Sequence, residues 1–304
     1  MKNVRRLVRC SLLPLSLLVS AHSQAYDFSK EDELFSRRGE GFELASQARD
    51  AYARALPQAS SVEEQVYAVA QMGRLDIYRT RMIPDVDVET KKKILEACVE
   101  TTRSIEKTNS QEYHYFTVSC VSLRGKFASI FGRIEWGMKL KRALGPALEA
   151  AKVDGQYKAG FEAGGILRAV AVLKSNPKTK PLGLYDPNES LRFMRLALDA
   201  PATLYRPFPE ELSGSDYYEN EYFTAQSEVA VALEEEKFAL VDQALSRTRS
   251  TLTLIEELGA AESLPKGREP ETKHYKAKLQ EFADLLYRCK SERNWKTCIS
   301  ENLE

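Results

Sequence analysis

Arg168 is a cation in an apolar setting. Ile166, Leu167, Val170, Ala171 and Val172 surround it, and the pair Gly164-Gly165 stands just before it. A guanidinium on such a helix face is drawn partly out of water and then needs a carboxylate, which Glu162 or Asp186 can offer in bidentate geometry. Two roles follow. In the structural one, which we take as primary, the ion pair pins a neighbouring Pro-rich segment onto the helices; in the functional one, the planar fork meets an anionic ligand or partner. Tyr157, Phe161 and Tyr185 flank the same stretch, where aromatic side chains serve packing more often than ligand contact. The candidate ligand- or partner-binding set is therefore Tyr157, Phe161, Glu162, Gly164, Gly165, Arg168, Tyr185 and Asp186.

Other chemistry finds little support. Outside the first 25 residues the histidines are His114 and His274, far apart and without a neighbouring Cys or His at metal-ligand spacing, so no metal site is expected. No Gly-x-Ser-x-Gly elbow, phosphate-cradling Gly-x-x-x-x-Gly-Lys or Cys-x-x-Cys occurs, and Gly39-Glu40-Gly41 reads as a turn, not as the start of a dinucleotide fingerprint. Glu234-Glu235-Glu236 and Lys91-Lys92-Lys93 read as solvated helix faces. The expectation is a protein that binds and does not catalyse, with no cofactor.

Residues 1–25 have the three parts of an export signal. Lys2, Arg5, Arg6 and Arg9 make the basic region, Ser11 to Ser20 the short apolar run, and Ser23-Gln24-Ala25 the small-residue cleavage site, which places the mature start at Tyr26. Cleavage after Ser23 is the alternative. The apolar run is half the length of a membrane span, about 20 residues, so no spanning helix is expected. Cys10 precedes that run, whereas an acylation cysteine would follow it, so no lipid anchor is expected either. Removing the leader takes four of 44 basic residues and none of 44 acidic ones, leaving 40 against 44 and a formal charge of −4. A nucleic-acid partner calls for the opposite sign. Four cysteines remain, an even number that an exported chain can oxidise. Cys289 and Cys298 flank a polar stretch suited to a disulfide, while Cys98 and Cys120 sit in helical patterns that fit either a disulfide or buried thiols.

The elements that must position these residues are helical. Ala45, Ala48, Tyr52 and Leu56 recur at three- and four-residue steps, and so do Val62, Val66, Val69, Gly73 and Ile77. Ser61 with Glu64 forms a capping box; Asn109 or Ser110 and Asp186 with Pro187 mark further helix starts. No stretch shows the strand alternation of a sheet. Hydrophobic residues at 43% are enough for a large core, so disorder is excluded. Ala48, Tyr52, Ala55 and Leu56 match the second helix of a tetratricopeptide repeat, and Ser190, Met194, Ala197, Leu198 and Pro201 repeat the pattern loosely. The reading is an all-α, tetratricopeptide-like array of antiparallel helical hairpins forming one curved bundle over residues 26–304. One segment, 175–187, is too rich in Pro, Gly and polar residues for α-helix and is long for a hairpin turn.

Gly164-Gly165 with Arg168, then Asn176-Pro177, Pro181-Leu182-Gly183-Leu184, Asp186-Pro187 and a helix ending Ala197-Leu198 before Pro201, resembles the T-component family of tripartite ATP-independent periplasmic transporters. The likeness is most specific from Tyr157 to Pro201 and extends thinly over Leu34 to Ile255. It implies a tetratricopeptide-like body with a ligand-accommodating cleft or pore, association with a periplasmic solute-binding protein, and self-assembly in some members. The family includes lipoproteins; this chain lacks the acylation signature. Two functions are thus expected to compete. One is a periplasmic accessory to solute uptake that holds a small, apolar or anionic ligand or docks a solute-binding protein. The other is an envelope scaffold that binds a protein and no solute. Exported protein is expected to begin at Tyr26, which intact-mass measurement decides; retention of Met1 would overturn the leader reading.

Overall fold

A computed structural model describes residues 25–302 except 293. Apart from Ala25, the leader read in residues 1–25 lies outside the described residues. Twelve α-helices run through the described chain: α1 (Ser29–Ser36), α2 (Phe42–Ala55), α3 (Val62–Arg81), α4 (Val88–Arg103), α5 (Gln111–Lys126), α6 (Ile130–Ala150), α7 (Phe161–Ser175), α8 (Pro187–Leu198), α9 (Tyr218–Glu235), α10 (Phe238–Ala260), α11 (Glu269–Lys290) and α12 (Trp295–Asn302). Their starts are set locally. Ser61 Oγ accepts from Glu64 N at 3.1 Å and the Glu64 carboxylate returns to Ser61 N at 3.3 Å, while Asp87, Ser110 and Asp186 cap α4, α5 and α8. Each such cap stabilises its helix by about 1 kcal/mol.

Each helix packs against the next, and α3, α5, α7, α9 and α11 also touch in succession. The odd-numbered helices therefore form an inner row and the even-numbered ones lie outside it, the arrangement of a helical-hairpin array. Small residues allow the close approach. Ala45, Ala48 and Ala55 of α2 are buried around Tyr52 and meet Ala68, Met72 and Leu75 of α3. Two disulfides tie outer helices to inner ones, Cys98 to Cys120 between α4 and α5 and Cys289 to Cys298 between α11 and α12, with Cα atoms 6.1 and 5.5 Å apart. The question the sequence left open for Cys98 and Cys120 is closed in favour of a disulfide.

Two departures are local. Two-residue antiparallel ladders appear where no strand was read: β1 (Lys152–Val153) with β2 (Gln156–Tyr157), and β3 (Thr203–Leu204) with β4 (Glu211–Leu212). At two residues a strand has no alternation to read. The 175–187 segment, expected to be irregular, holds a 3₁₀ helix, Pro177–Leu182, opened by the Asn176 side chain and closed by Gly183 in a left-handed conformation. Its three-residue hydrogen-bond step tolerates Pro177 at the first position, where no N–H is used.

The row is closed into a ring at its ends. The turn after α1 carries Arg38, 1% exposed, whose Nε and Nη2 donate to the Glu271 carboxylate at 3.1 and 2.6 Å and whose Nη2 also reaches the Gly267 carbonyl at 2.5 Å. Phe35 and Phe208 pack around it, the latter from the loop between α8 and α9. Arg38→Ala strands a shielded carboxylate and is expected to lower unfolding free energy by about 3–5 kcal/mol. Urea denaturation checks this, and a wild-type midpoint would show that the ring does not depend on the pair.

Candidate functional site

Where the inner helices face one another, the ring is filled with charged and phenolic side chains instead of leucines. Arg74 and Arg81 stand seven residues apart on one face of α3. Tyr115 comes from α5, Glu162 and Arg168 from α7, Glu219 from α9, Arg268 from the residue before α11, and Glu271 and Tyr275 from α11; together with Phe35, Phe116 and Phe208 they enclose a lumen with a cavity of about 60 Å³. The Arg268 guanidinium bonds both Glu219 oxygens, at 2.9 and 2.7 Å, and lies 3.9 Å over the Tyr217 ring. Arg168 donates to Asn220 Oδ1 at 2.8 Å and to the Glu162 carbonyl at 3.2 Å, and stands 3.7 and 3.9 Å from the Glu162 and Glu219 carboxylates. Arg74 pairs with Glu162 and donates to Gln71 Oε1 at 2.7 Å and to the Arg206 carbonyl at 2.9 Å.

The charges do not cancel. Among the described residues that line or brace the cavity there are five guanidinia (Arg38, Arg74, Arg81, Arg168, Arg268) and three carboxylates (Glu162, Glu219, Glu271), a surplus of two positive charges. Arg81 carries the imbalance. No carboxylate among the described residues lies within ion-pair distance of it, its Nη2 donates to the Tyr275 hydroxyl at 3.0 Å, and solvent reaches it while Arg74, Arg168 and Arg268 are shielded. Burial favours the neutral form of Glu219, yet Arg268 and Arg168 hold its carboxyl below the ordinary glutamate range. Its contribution to stability is therefore complete above about pH 4.3, where an unfolded glutamate titrates, and is lost as the pH falls through the lower folded value. Burial pushes the Tyr275 phenol up to about 12, and burial with Arg81 and Lys278 brings His274 down to about 4, so both are neutral in the physiological range.

Glu162 owes its position to a backbone conformation that helices avoid. Glu162, Ala163 and Gly164 have φ of 51°, 47° and 80°, one turn of left-handed backbone before α7 becomes regular. For the two residues with a Cβ this costs about 1–2 kcal/mol each. The surroundings hold it: Tyr205 Oη accepts from Ala163 N at 3.2 Å and donates to the Gly160 carbonyl at 3.1 Å, and Asn220 Nδ2 reaches the Ala163 carbonyl at 3.4 Å. A Cβ at Gly164 would stand 2.9 Å from Ala197 Cβ, and one at Gly165 3.1 Å from the Tyr115 ring. The glycine pair therefore gives α8 and Tyr115 their close approach. Strain of this kind gathers where a side chain must be aimed, and here it aims the Glu162 carboxylate inward.

Beside the lumen lies an open groove of about 470 Å³ between the N-terminal half of α3 and the β3–β4 loop, with apolar and aromatic walls from Val62, Val66, Tyr67, Phe161, Leu204 and Tyr205 and charges from Arg74, Arg206, Glu63 and Glu112. Arg74 thus borders both spaces, its guanidinium 5.1 Å from the Phe161 ring centre.

Of the residues singled out in the sequence, Phe161, Glu162, Gly164, Gly165 and Arg168 come together at this site. The others do not. Tyr157 packs edge-on against Phe193 at 5.0 Å, Tyr185 lies under Lys180 at 4.5 Å, and Asp186 caps α8 by accepting from Glu189 N at 3.0 Å. Arg168 pairs with Glu162 and not with Asp186, and it does not pin the Pro-rich segment. That segment begins after Ser175, about 10 Å further along the helix, and is held by Thr179 Oγ1 on the Leu173 carbonyl at 2.8 Å and Asp186 N on the Lys174 carbonyl at 2.9 Å. Sequence reasoning missed Arg74, Arg81, Glu219, Arg268 and Glu271. The available signal was Arg74 and Arg81 sharing a helix side with Tyr67 and Ala70, charges where that face otherwise buries.

Arg168→Ala removes the tie between α7 and α9 and leaves the Asn220 amide oxygen buried without its donor. Unfolding free energy is expected to fall by about 1–3 kcal/mol, the cost of a buried acceptor left unsatisfied, and Arg168→Lys to recover only part, because an ammonium cannot span Asn220 and Glu162 in one plane. Chemical denaturation of both variants measures this; wild-type stability of the alanine variant would refute the tie. The chain matches no family model and no curated protein, so its function rests on the chemistry of these residues.

Proposed function

We propose that this protein is a non-catalytic, extracytoplasmic binding protein that holds a small, largely apolar solute in the groove beside the lumen. It would act as an accessory to solute uptake in the manner of the T-components its sequence resembles, working with a solute-binding protein. The observation that carries the reading is the groove itself: about 470 Å³, with Val66, Tyr67, Phe161, Leu204 and Tyr205 as its apolar walls and Glu63, Glu112, Arg74 and Arg206 as its charged ones, within the volume range of small-molecule sites and with their pairing of apolar walls and a few polar groups. An anionic end on the solute would find Arg74 at the inner wall.

The chemistry of the lumen argues for binding over catalysis. Glu162, Glu219 and Glu271 are each engaged by a guanidinium, so none of the three stands as a free carboxylate beside the cavity. Two disulfides suit an oxidising compartment, and among the described residues no helix is long and apolar enough to cross a membrane. The scaffold reading draws on a different feature. Phe131, Ile134 and Met138 form an exposed apolar stripe on α6, at 82%, 62% and 51% exposure, a surface of the kind that meets other proteins.

Val66 is half-exposed in the groove wall, so Val66→Trp fills the groove without disturbing the core. Native mass spectrometry of exported wild-type protein is expected to find a small molecule retained, and the variant to have lost it with its melting temperature unchanged. Wild-type protein that retains nothing, and that no apolar solute from a periplasmic extract stabilises, would leave the scaffold reading in its place.

A further inference from the structure

We propose that the lumen around Arg81 is a second binding site, separate from the apolar groove, for a compact doubly charged oxyanion of the phosphate class. Charge is the first ground. Five guanidinia line or brace the lumen against three carboxylates; Arg168 shares Glu162 and Glu219, at 3.7 and 3.9 Å, with Arg74 and Arg268, and Arg81 at the solvent end has no carboxylate among the described residues. Ion pairing alone does not explain such a set. Each buried charge loses several kcal/mol of hydration, and a matched pair at best recovers it, so guanidinia gathered around one cavity in excess of their carboxylates repel one another until an anion joins them. A dianion restores neutrality where a monoanion does half of it.

Size and donor chemistry are the second ground. The cavity of about 60 Å³ has room for a few waters, at about 10–15 Å³ of such volume each, and so for a tetrahedral oxyanion. Its walls offer hydrogen-bond donors: Arg81, the Tyr275 phenol bonded to it at 3.0 Å, and the Tyr115 phenol. Nearby, the Tyr217 hydroxyl is buried without a hydrogen-bond partner, on a ring whose centre lies 5.4 and 3.9 Å from the guanidinia of Arg168 and Arg268. The three wall carboxylates oppose an anion, but each is already neutralised by its own guanidinium. Planar guanidinium groups are the side chains best matched to phosphate oxygens.

Access is the third ground. Arg81 is the solvent-reached member of the set, at the C-terminal end of α3, while Arg168 and Arg268 lie 5% exposed behind it. An anion would first meet Arg81 and then the inner guanidinia. A phosphate monoester would enter phosphate first and leave its organic part outside Arg81.

The test uses the full mature chain, dialysed free of phosphate, with calorimetric titration and thermal melting at constant ionic strength. Inorganic phosphate is expected to bind one to one and raise the melting temperature, as any ligand of the folded state must. Acetate and chloride are expected to do neither. Arg81→Gln removes a side chain with one hydrogen bond, so it folds as wild type and should weaken phosphate by about tenfold or more, the loss of one charge-assisted hydrogen bond; Arg81→Lys should restore part. Glycerol phosphate separates the sources: affinity equal to or above that of phosphate identifies a monoester head, and weaker affinity identifies the free ion. Val66→Trp must leave phosphate binding intact, since it touches only the groove. Phosphate that acts no differently from chloride, or Arg81→Gln that binds it as well as wild type, overturns the proposal.

Discussion

Arg168 reaches the Asn220 amide oxygen at 2.8 Å and the Glu162 carbonyl at 3.2 Å, and much of the molecule is in register because these bonds are made. A guanidinium removed from water must be matched on several sides at once. Asn220 extends the match: its amide nitrogen donates to the carbonyls of Gly214 at 2.9 Å and Ala197 at 3.3 Å. Through two side chains α7, α8, α9 and the loop between the last two share a single set of hydrogen bonds. The left-handed turn at Glu162 to Gly164 is held from the same points, which is why a conformation costly in isolation persists there.

Around this hub the interior divides by polarity. Tyr78, Phe35 and Phe208 belong to an apolar cluster built on the N-terminal helices, while Ile77, Phe116 and Tyr275 belong to the larger cluster of the remaining ones. The guanidinia and carboxylates run between the two. Each apolar cluster resembles an ordinary core, and the polar seam gives them a fixed relation through directional contacts that apolar packing lacks. The closing pair of Arg38 and Glu271 extends that seam to the two ends of the chain. Arg74, at the border of lumen and groove, is where the polar seam meets solvent on the apolar side.

The sequence by itself determined the elements and their outer stitching. Helix starts at Ser61, Asp186 and Pro187, the buried face of α2 at Ala48, Tyr52 and Ala55, and the burial of Arg168 were all legible, because caps and apolar periodicity act over a few residues. The candidate set was legible in five of its eight members. Glu162 and Arg168 reach the lumen, Phe161 the groove beside it, and Gly164 and Gly165 form the close approach next to them; Tyr157, Tyr185 and Asp186 share their neighbourhood in the chain but face other ways. What only the tertiary structure decided was the lumen. Arg38 and Glu271 are 233 residues apart, Arg74 and Glu162 are 88, and Arg268 and Glu219 are 49. In their own segments most of these are charges of a kind that a solvated face would carry equally well. A charge on an apolar helix face, such as Arg74 or Arg168, can be read as buried, but which partner it is buried against is set by how the helices curve and close, and that is fixed by packing between segments far apart in the chain.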